Sequence, residues 1–117
     1  MITINATTKD FTEVELYLMT ISPAMKSIKD VKDGTSIKVS GYLEFTDEKD
    51  NGEKSEILSV ITPDKEVYSC QSATFKRSLK DIATIMGDKP FSVIKTSGKT
   101  KAGRDFVNCE LDIKSLK

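Results

Sequence analysis

The sequence predicts a small, mainly β domain that carries one long amphipathic helix. Three observations predict it: apolar residues alternate in several short segments, turn sequences separate those segments, and one apolar stripe recurs at helical spacing. The chain has 117 residues, of which 38% are hydrophobic and 31% charged, which is typical of a single soluble globular domain with one core. No apolar run approaches the length that spans a bilayer, so we expect no membrane association.

The first third of the chain predicts short helical structure. Residues 1–11 are weakly patterned and predict either a frayed arm or an edge strand. Thr12 and Glu15 fit a capping box, which marks a helix start. Apolar residues then recur at helical spacing, namely Val14, Leu18 and Ile21. An alternating set would also allow a strand, namely Val14, Leu16 and Leu18.

Five strands and a second helix are predicted after the Asp33–Gly34 turn. Gly41 lies inside the first strand pattern and predicts a bend or bulge. The strand segments are 37–45, 57–61, 66–71, 91–96 and 107–113. The helix falls between the third and fourth strands; Ser72 or Thr74 can cap it and Gly87 can end it. Its apolar stripe consists of Phe75, Leu79, Ile82 and Met86.

This order of elements is that of a five-stranded Greek-key barrel with its helix between strands three and four, the OB-fold. We therefore predict one OB-fold domain over residues 1–117. The barrel would occupy residues 35–113, and residues 1–32 would form an N-terminal extension with short helical segments.

The composition argues against catalysis and against a metal or cofactor. Histidine is absent, which removes histidine-based triads, zinc sites and general bases. Cys70 and Cys109 stand 39 positions apart without a CxxC motif, so we expect two buried thiols and no zinc site. Gly98-Lys99-Thr100 resembles the end of a P-loop, but Val93 occupies the position of the first glycine. We predict a protein that is not an enzyme and binds no cofactor.

Charge is balanced overall but unevenly placed. Residues 1–75 hold 8 basic and 13 acidic side chains (net −5), and residues 76–117 hold 10 basic and 5 acidic ones (net +5). A basic half is typical of proteins that bind polyanions, because lysine and arginine displace counterions from phosphates. A solvated, lopsided surface would give the same composition.

The segment between the last two predicted strands is the most informative. In an OB-fold the loop that joins strands four and five is one of two loops that grip oligonucleotides. Gly98 and Gly103 would allow this loop to bend and to approach a ligand closely. Its cations are Lys95, Lys99, Lys101 and Arg104. They could track a phosphate backbone, or they could simply solvate a hairpin.

Single-strand binding also needs flat side chains on which bases stack. Tyr42 shares a strand face with Lys38 opposite the apolar face, and Phe106 lies opposite the core set of its strand. Tyr68 lies on a strand whose inward face the sequence does not settle. For each ring, a structural role at a barrel edge or a dimer contact is the alternative.

Four segments resemble a known family: residues 15–20, 28–34, 72–75 and 97–106. They are similar to small single-stranded DNA-binding proteins encoded by phages and prophages of Gram-positive bacteria. The resemblance implies an OB-fold protein that coats single-stranded DNA during phage replication or recombination, in the host cytoplasm, as a homodimer or higher oligomer. It also implies that Lys99, Lys101, Arg104 and Phe106 face the strand. Because residues 113–117 carry no acidic side chain, recruitment of partners through an acidic tail is not expected.

Two functional hypotheses follow. The first is a non-enzymatic, sequence-tolerant single-stranded DNA binder that uses backbone contacts from cations and stacking on rings, with phage or host replication and recombination proteins as further partners. The second is a protein-interaction module on the same barrel, such as a phage inhibitor or adaptor of a host enzyme. The acidic residues of 44–56 motivate this alternative, since they could meet a basic partner.

Overall fold

The computed structural model describes residues 2–8, 10–87, 89 and 91–116. This part of the chain forms eight strands: β1 (Ile2–Thr7), β2 (Lys26–Ser27), β3 (Ser36–Val39), β4 (Gly41–Glu48), β5 (Lys54–Ile61), β6 (Val67–Cys70), β7 (Phe91–Lys99) and β8 (Asp105–Leu111). Its helices are α1 (Glu13–Thr20) and α2 (Ala73–Met86), and two 3₁₀ turns span Ile28–Asp30 and Ile113–Leu116. None of the helices in these ranges is long and apolar enough to cross a membrane.

The strands form two sheets, which confirms the mainly β prediction. The five-stranded sheet has the order β1-β4-β5-β6-β2, and the three-stranded sheet has the order β3-β7-β8. All neighbours are antiparallel except β2 and β6. There are more strands than the five predicted because the first predicted strand divides into β3 and β4, and because β1 and β2 add to the edges of the larger sheet.

Gly41 lies at the point where the chain passes from one sheet to the other. A Cβ at this position would stand 3.0 Å from the Phe11 ring and 3.0 Å from Thr8 Oγ1. These two neighbours lie so close to the backbone of residue 41 that a side chain there would have to displace them. The predicted bend is therefore present, and it assigns β3 and β4 to different sheets.

The predicted closed barrel is not what the described residues form, because β6 and β8 belong to different sheets. The N-cap residue of α2 and a residue in its second turn hydrogen-bond to β8. Ser72 Oγ donates to the Val107 carbonyl at 2.8 Å, and Ser78 Oγ donates to Asn108 Oδ1 at 2.6 Å. These hydrogen bonds hold α2 against β8 beside the seam between β6 and β8.

Two hydrophobic clusters hold the sheets and helices together. The larger one lies between the two sheets and α2 and is built on Ile28, Ile37, Val39, Leu58, Val60, Cys70, Phe75, Leu79, Phe91, Val93 and Cys109. The smaller one lies under α1 and is built on Met19, Leu43, Phe45, Ile61 and Val67. Strand β5 contributes to both clusters, with Leu58 and Val60 in the larger one and Ile61 in the smaller one.

The buried face of α1 agrees with the predicted stripe at Leu18, which packs against the smaller cluster, but not at its other two positions. Val14 and Ile21 are exposed, whereas Glu15 and Met19 are buried. The predicted capping box is present: Glu15 N donates to Thr12 Oγ1 at 3.1 Å and Thr12 N donates to Glu15 Oε1 at 3.0 Å. Lys65 Nζ lies 2.6 Å from Glu15 Oε2, and this hydrogen bond lowers the pKa of Glu15 to about 2. A buried carboxylate thus replaces the apolar contacts expected on this face.

Both cysteines are buried, as predicted, and we expect their thiols to react slowly in the folded protein. Burial raises the pKa of the Cys70 thiol to about 11 and that of the Cys109 thiol to about 12. Since the thiolate is the nucleophile, native protein at pH 8 should react with iodoacetamide far more slowly than protein in urea. Equal labelling rates in the two states would contradict the structure.

The same two thiols should make the protein less stable in alkali. A raised pKa favours the folded state at pH values below the unfolded pKa of about 9, and this contribution is lost as the pH rises toward 11 to 12. Between pH 8 and pH 10 the free energy of unfolding should fall by about 1 kcal/mol per thiol. Urea titrations of wild type and of C70A/C109A should show that the variant lacks this component.

Candidate nucleic-acid interface

A groove of about 950 Å³ lies between the β7–β8 hairpin and the larger sheet, which we call the hairpin groove. It runs along the seam between β6 and β8. One wall comes from the hairpin and includes Lys95, Ser97, Gly98, Lys99, Asp105, Phe106 and Val107. The other wall comes from the turn at residues 27–30, from Ile57 and from the end of β6, and includes Lys29, Asp30, Ser69, Cys70, Gln71 and Ser72.

Strand β7 supplies polar side chains to the groove because alternate residues of a strand share a face. Phe91 and Val93 begin this face inside the core, and Lys95, Ser97 and Lys99 continue it into the groove. The apolar half of β7 thus holds the strand in place while its polar half lines the groove.

Lys95 is held by an ion pair on the groove wall. Its side chain is 6% exposed, and its Nζ lies 2.6 Å from Asp33 Oδ1. Asp33 Oδ2 accepts a hydrogen bond from Ser97 Oγ at 2.5 Å. These two donors, Lys95 first, hold the pKa of the Asp33 carboxyl below its ordinary value. Lys95 is counted above with the loop cations although it falls in the predicted strand 91–96; it lies within β7, and the loop of the hairpin comprises residues 100–104.

Phe106 is positioned by Gly98, which lies directly opposite on β7. A Cβ at residue 98 would stand 2.7 Å from Cζ of the Phe106 ring, so the ring lies against the Gly98 backbone. The Phe106 side chain is only half-buried and lines the hairpin groove. Because Gly98 has no side chain, the Phe106 ring can pack against the backbone of residue 98 and still be accessible from the groove.

The tip of the hairpin carries three exposed cations: Lys99, Lys101 and Arg104. The turn is closed by hydrogen bonds from Thr100 N to Arg104 O at 2.9 Å and from Gly103 N to Thr100 O at 2.9 Å, with Gly103 at φ 84°. Lys99 Nζ is 3.9 Å from Asp105 Oδ1, a weak pair between exposed groups. None of the bonds that close the turn uses a cationic side chain.

Two predicted residues, Lys38 and Tyr42, line a different groove of about 440 Å³ at the bend between β3 and β4. Lys89 joins them there. Tyr42 is half-buried and packs against the larger cluster, and its burial raises the pKa of its hydroxyl. These residues are thus separated from the hairpin groove, which contains Lys95, Lys99 and Phe106 of the predicted set, with Lys101 and Arg104 on its hairpin.

Tyr68 lies on β6 and packs partly against the larger cluster. Its hydroxyl donates to Glu66 Oε2 at 3.2 Å, and Lys26 Nζ lies 5.5 Å from the centroid of its ring. Burial is the main cause of its raised pKa. The Tyr68 hydroxyl thus already has Glu66 as its acceptor, and the Tyr68 ring already has the Lys26 ammonium beside it.

The wall opposite the hairpin was not predicted. Its polar residues are Lys29, Ser69, Gln71 and Ser72. Lys29 follows Ile28, which is fully buried, so the 3₁₀ turn fixes the neighbouring lysine at the surface. Ser72 was expected only as a helix cap, a role that it does perform toward Phe75 N at 3.3 Å.

A mainly β fold with a cationic hairpin beside an accessible ring has the surface pattern of small nucleic-acid-binding domains. A family model described as phage single-stranded DNA-binding protein, of the phi29 type, matches residues 1–112, and the chain belongs to that family. The resemblance stated from the sequence is thereby confirmed. A search of curated proteins and a search of solved structures found no significant match.

Proposed function

We propose that this chain binds single-stranded DNA, without strong sequence preference, in the hairpin groove. The observation that carries the proposal is the placement of Phe106 beside the cations of the β7–β8 hairpin in one groove, in a chain of a single-stranded DNA-binding family. Phosphates would lie along the cations Lys29, Lys99, Lys101 and Arg104. One base would stack on the free face of the Phe106 ring.

The Phe106 ring would give the site a preference for unpaired strands. Stacking requires access to the face of a base, which a duplex keeps within its own stack. The tip of the Phe106 ring lies against Gly98, and the residue lines the groove, so a base could stack on the ring from the groove side. Every base has such a face, and the contact is therefore tolerant of sequence.

The strand order supports an OB-type topology with an open seam. Strands β3 and β4 would together form the first strand, β5 and β6 the next two, and β7 and β8 the last two, with α2 before β7. The pairing of β3 with β7 and of β4 with β5 joins this first strand to both sheets. The hairpin groove then lies beside the seam, where nucleic acid would reach Phe106 from the side of β6.

The biological setting that we propose is phage DNA replication or recombination, in which exposed single strands need to be coated. Self-association as a homodimer stays a prediction from the sequence. Light scattering of the chain with and without oligo-dT measures its mass directly and would decide between a monomer and a dimer.

Binding should weaken steeply with salt. With about three or four phosphate contacts, the slope of log K against log salt concentration should lie near −2 to −3 for a single strand. Affinity for labelled oligo-dT should therefore fall roughly 20- to 60-fold between 50 and 200 mM salt. A gel shift or fluorescence anisotropy titration at several salt concentrations measures this slope.

The control for this experiment is a duplex of the same length, which should bind more weakly because it offers no free base to the ring. Absence of any shift with oligo-dT at low salt would refute the proposed function. Equal affinity for the duplex would agree with the proposed phosphate contacts but would contradict a stacking role for Phe106.

A further inference from the structure

Two hydrogen-bond donors on the groove face of β7 are occupied by a carboxylate of the same chain. Lys95 Nζ and Ser97 Oγ both point to Asp33, one to each carboxylate oxygen. We propose that these two donors form a phosphate subsite of the hairpin groove, which the Asp33 carboxylate occupies in the free protein and a DNA phosphate takes over on binding. This inference rests on the proposed function.

The donor pair suits a phosphate as well as a carboxylate. Both anions present oxygen acceptors to a cation and a hydroxyl, and charge-assisted hydrogen bonds of this kind are the strong ones. Lys95, Ser97 and Lys99 share one face of β7 and all line the groove. Lys95 and Lys99 are four residue steps apart along the strand, which is about 13 Å, so the two ammonium groups would serve different phosphates.

The exchange needs only a side-chain rotation. The Asp33 side chain is 57% exposed, so it can turn toward solvent without burying charge. Its backbone neighbours stay in place, because Gly34 N donates to Lys95 O at 2.8 Å and Lys95 N donates to Thr35 O at 3.0 Å. The ammonium of Lys95 is nearly fully buried and needs an anion beside it; the phosphate replaces the carboxylate in that role.

A mutant cycle tests this subsite through the affinity for oligo-dT and its salt slope. Asp33→Asn removes the competing charge and should tighten binding about three- to tenfold at low salt. Lys95→Met removes the subsite and should weaken binding, with a salt slope shallower by about 0.7, the value of one phosphate contact. In the K95M background, D33N should keep only a small gain, of the size expected for the loss of one nearby negative charge.

The matched control is Asp30→Asn, which removes one negative charge from the opposite wall of the same groove without freeing a donor pair. Its gain should be smaller than that of D33N and should persist in the K95M background, as expected for a long-range charge effect. A D33N gain that persists undiminished in that background, or one no larger than the D30N gain in the wild-type background, would overturn the subsite.

Stability is the second readout, since D33N leaves a buried ammonium beside a neutral amide. Thermal unfolding followed by circular dichroism reports whether each variant folds. Should D33N fail to fold, the K95M slope decides, because a slope equal to that of wild type would overturn the subsite. Wild-type protein that does not bind oligo-dT would refute the proposed function, whereas wild-type binding without the D33N and K95M effects would refute the subsite alone.

Discussion

The triple variant K99A/K101A/R104A is expected to lose roughly two to three orders of magnitude in affinity for oligo-dT near 50 mM salt. Each of the three side chains is exposed on the β7–β8 hairpin. Loss of three phosphate contacts should make the salt slope shallower by about 2, and that difference grows as salt is lowered. Anisotropy titrations of wild type and variant over a range of salt concentrations measure both quantities.

The fold should survive these three changes. The hairpin turn is closed by backbone groups and by Thr100 Oγ1, which accepts from Arg104 N at 3.2 Å, and these contacts do not depend on the replaced side chains. A matched control is K49A/K54A/K114A, which lowers the net charge equally and replaces exposed lysines away from the hairpin groove. The control should bind nearly as wild type does. Equal losses in both triple variants would mean that net charge, and not the hairpin, governs binding.

Local patterns predicted much of the secondary structure. Alternation predicted a strand from residue 37, where Ile37 and Val39 are indeed buried, and the capping residues predicted the start of α1 and of α2. These features depend on neighbours within a few residues, which a sequence displays directly. The prediction of a closed barrel was wrong, because the pairing of β6 with β8 is a long-range property that no local pattern encodes. The hydrogen bonds of Ser72 and Ser78 to β8, which span 35 and 30 positions, are long-range in the same way.

The candidate site likewise has one part that the local sequence predicts and another part that depends on long-range contacts. The cations and glycines of the hairpin are consecutive in the sequence, and they do lie together in the structure. Asp33, by contrast, reaches Lys95 from 62 positions away, so its ion pair could not be read from either segment. The same holds for Lys29, whose place on the groove wall depends on the packing of Ile28 into the larger cluster. Long-range pairing therefore decides which cations face the groove.

Replacing Phe106 by alanine is expected to weaken oligo-dT binding about five- to 150-fold, the range that corresponds to roughly 1–3 kcal/mol of stacking per base. The loss should remain at high salt, because stacking releases no counterions. Phe106→Trp should retain binding and, since the wild-type chain has no tryptophan, should place a single fluorophore in the groove. Quenching of its emission by oligo-dT would report stacking directly. Tyr17→Ala, on the exposed face of α1, is the control and should bind as wild type does.

Gly98 offers a way to move the ring without removing it. Its φ lies outside the positive region occupied by Gly34, Gly52, Gly87 and Gly103, so alanine is compatible with its backbone. Because the new Cβ would stand 2.7 Å from the Phe106 ring, G98A must displace the ring, and its affinity loss should approach that of F106A. In the F106A background there is no ring to displace, so adding G98A should lower the affinity for oligo-dT little further. If G98A lowered the affinity as much in the F106A background as in wild type, the substitution would act through the conformation of β7 and not through the position of the Phe106 ring.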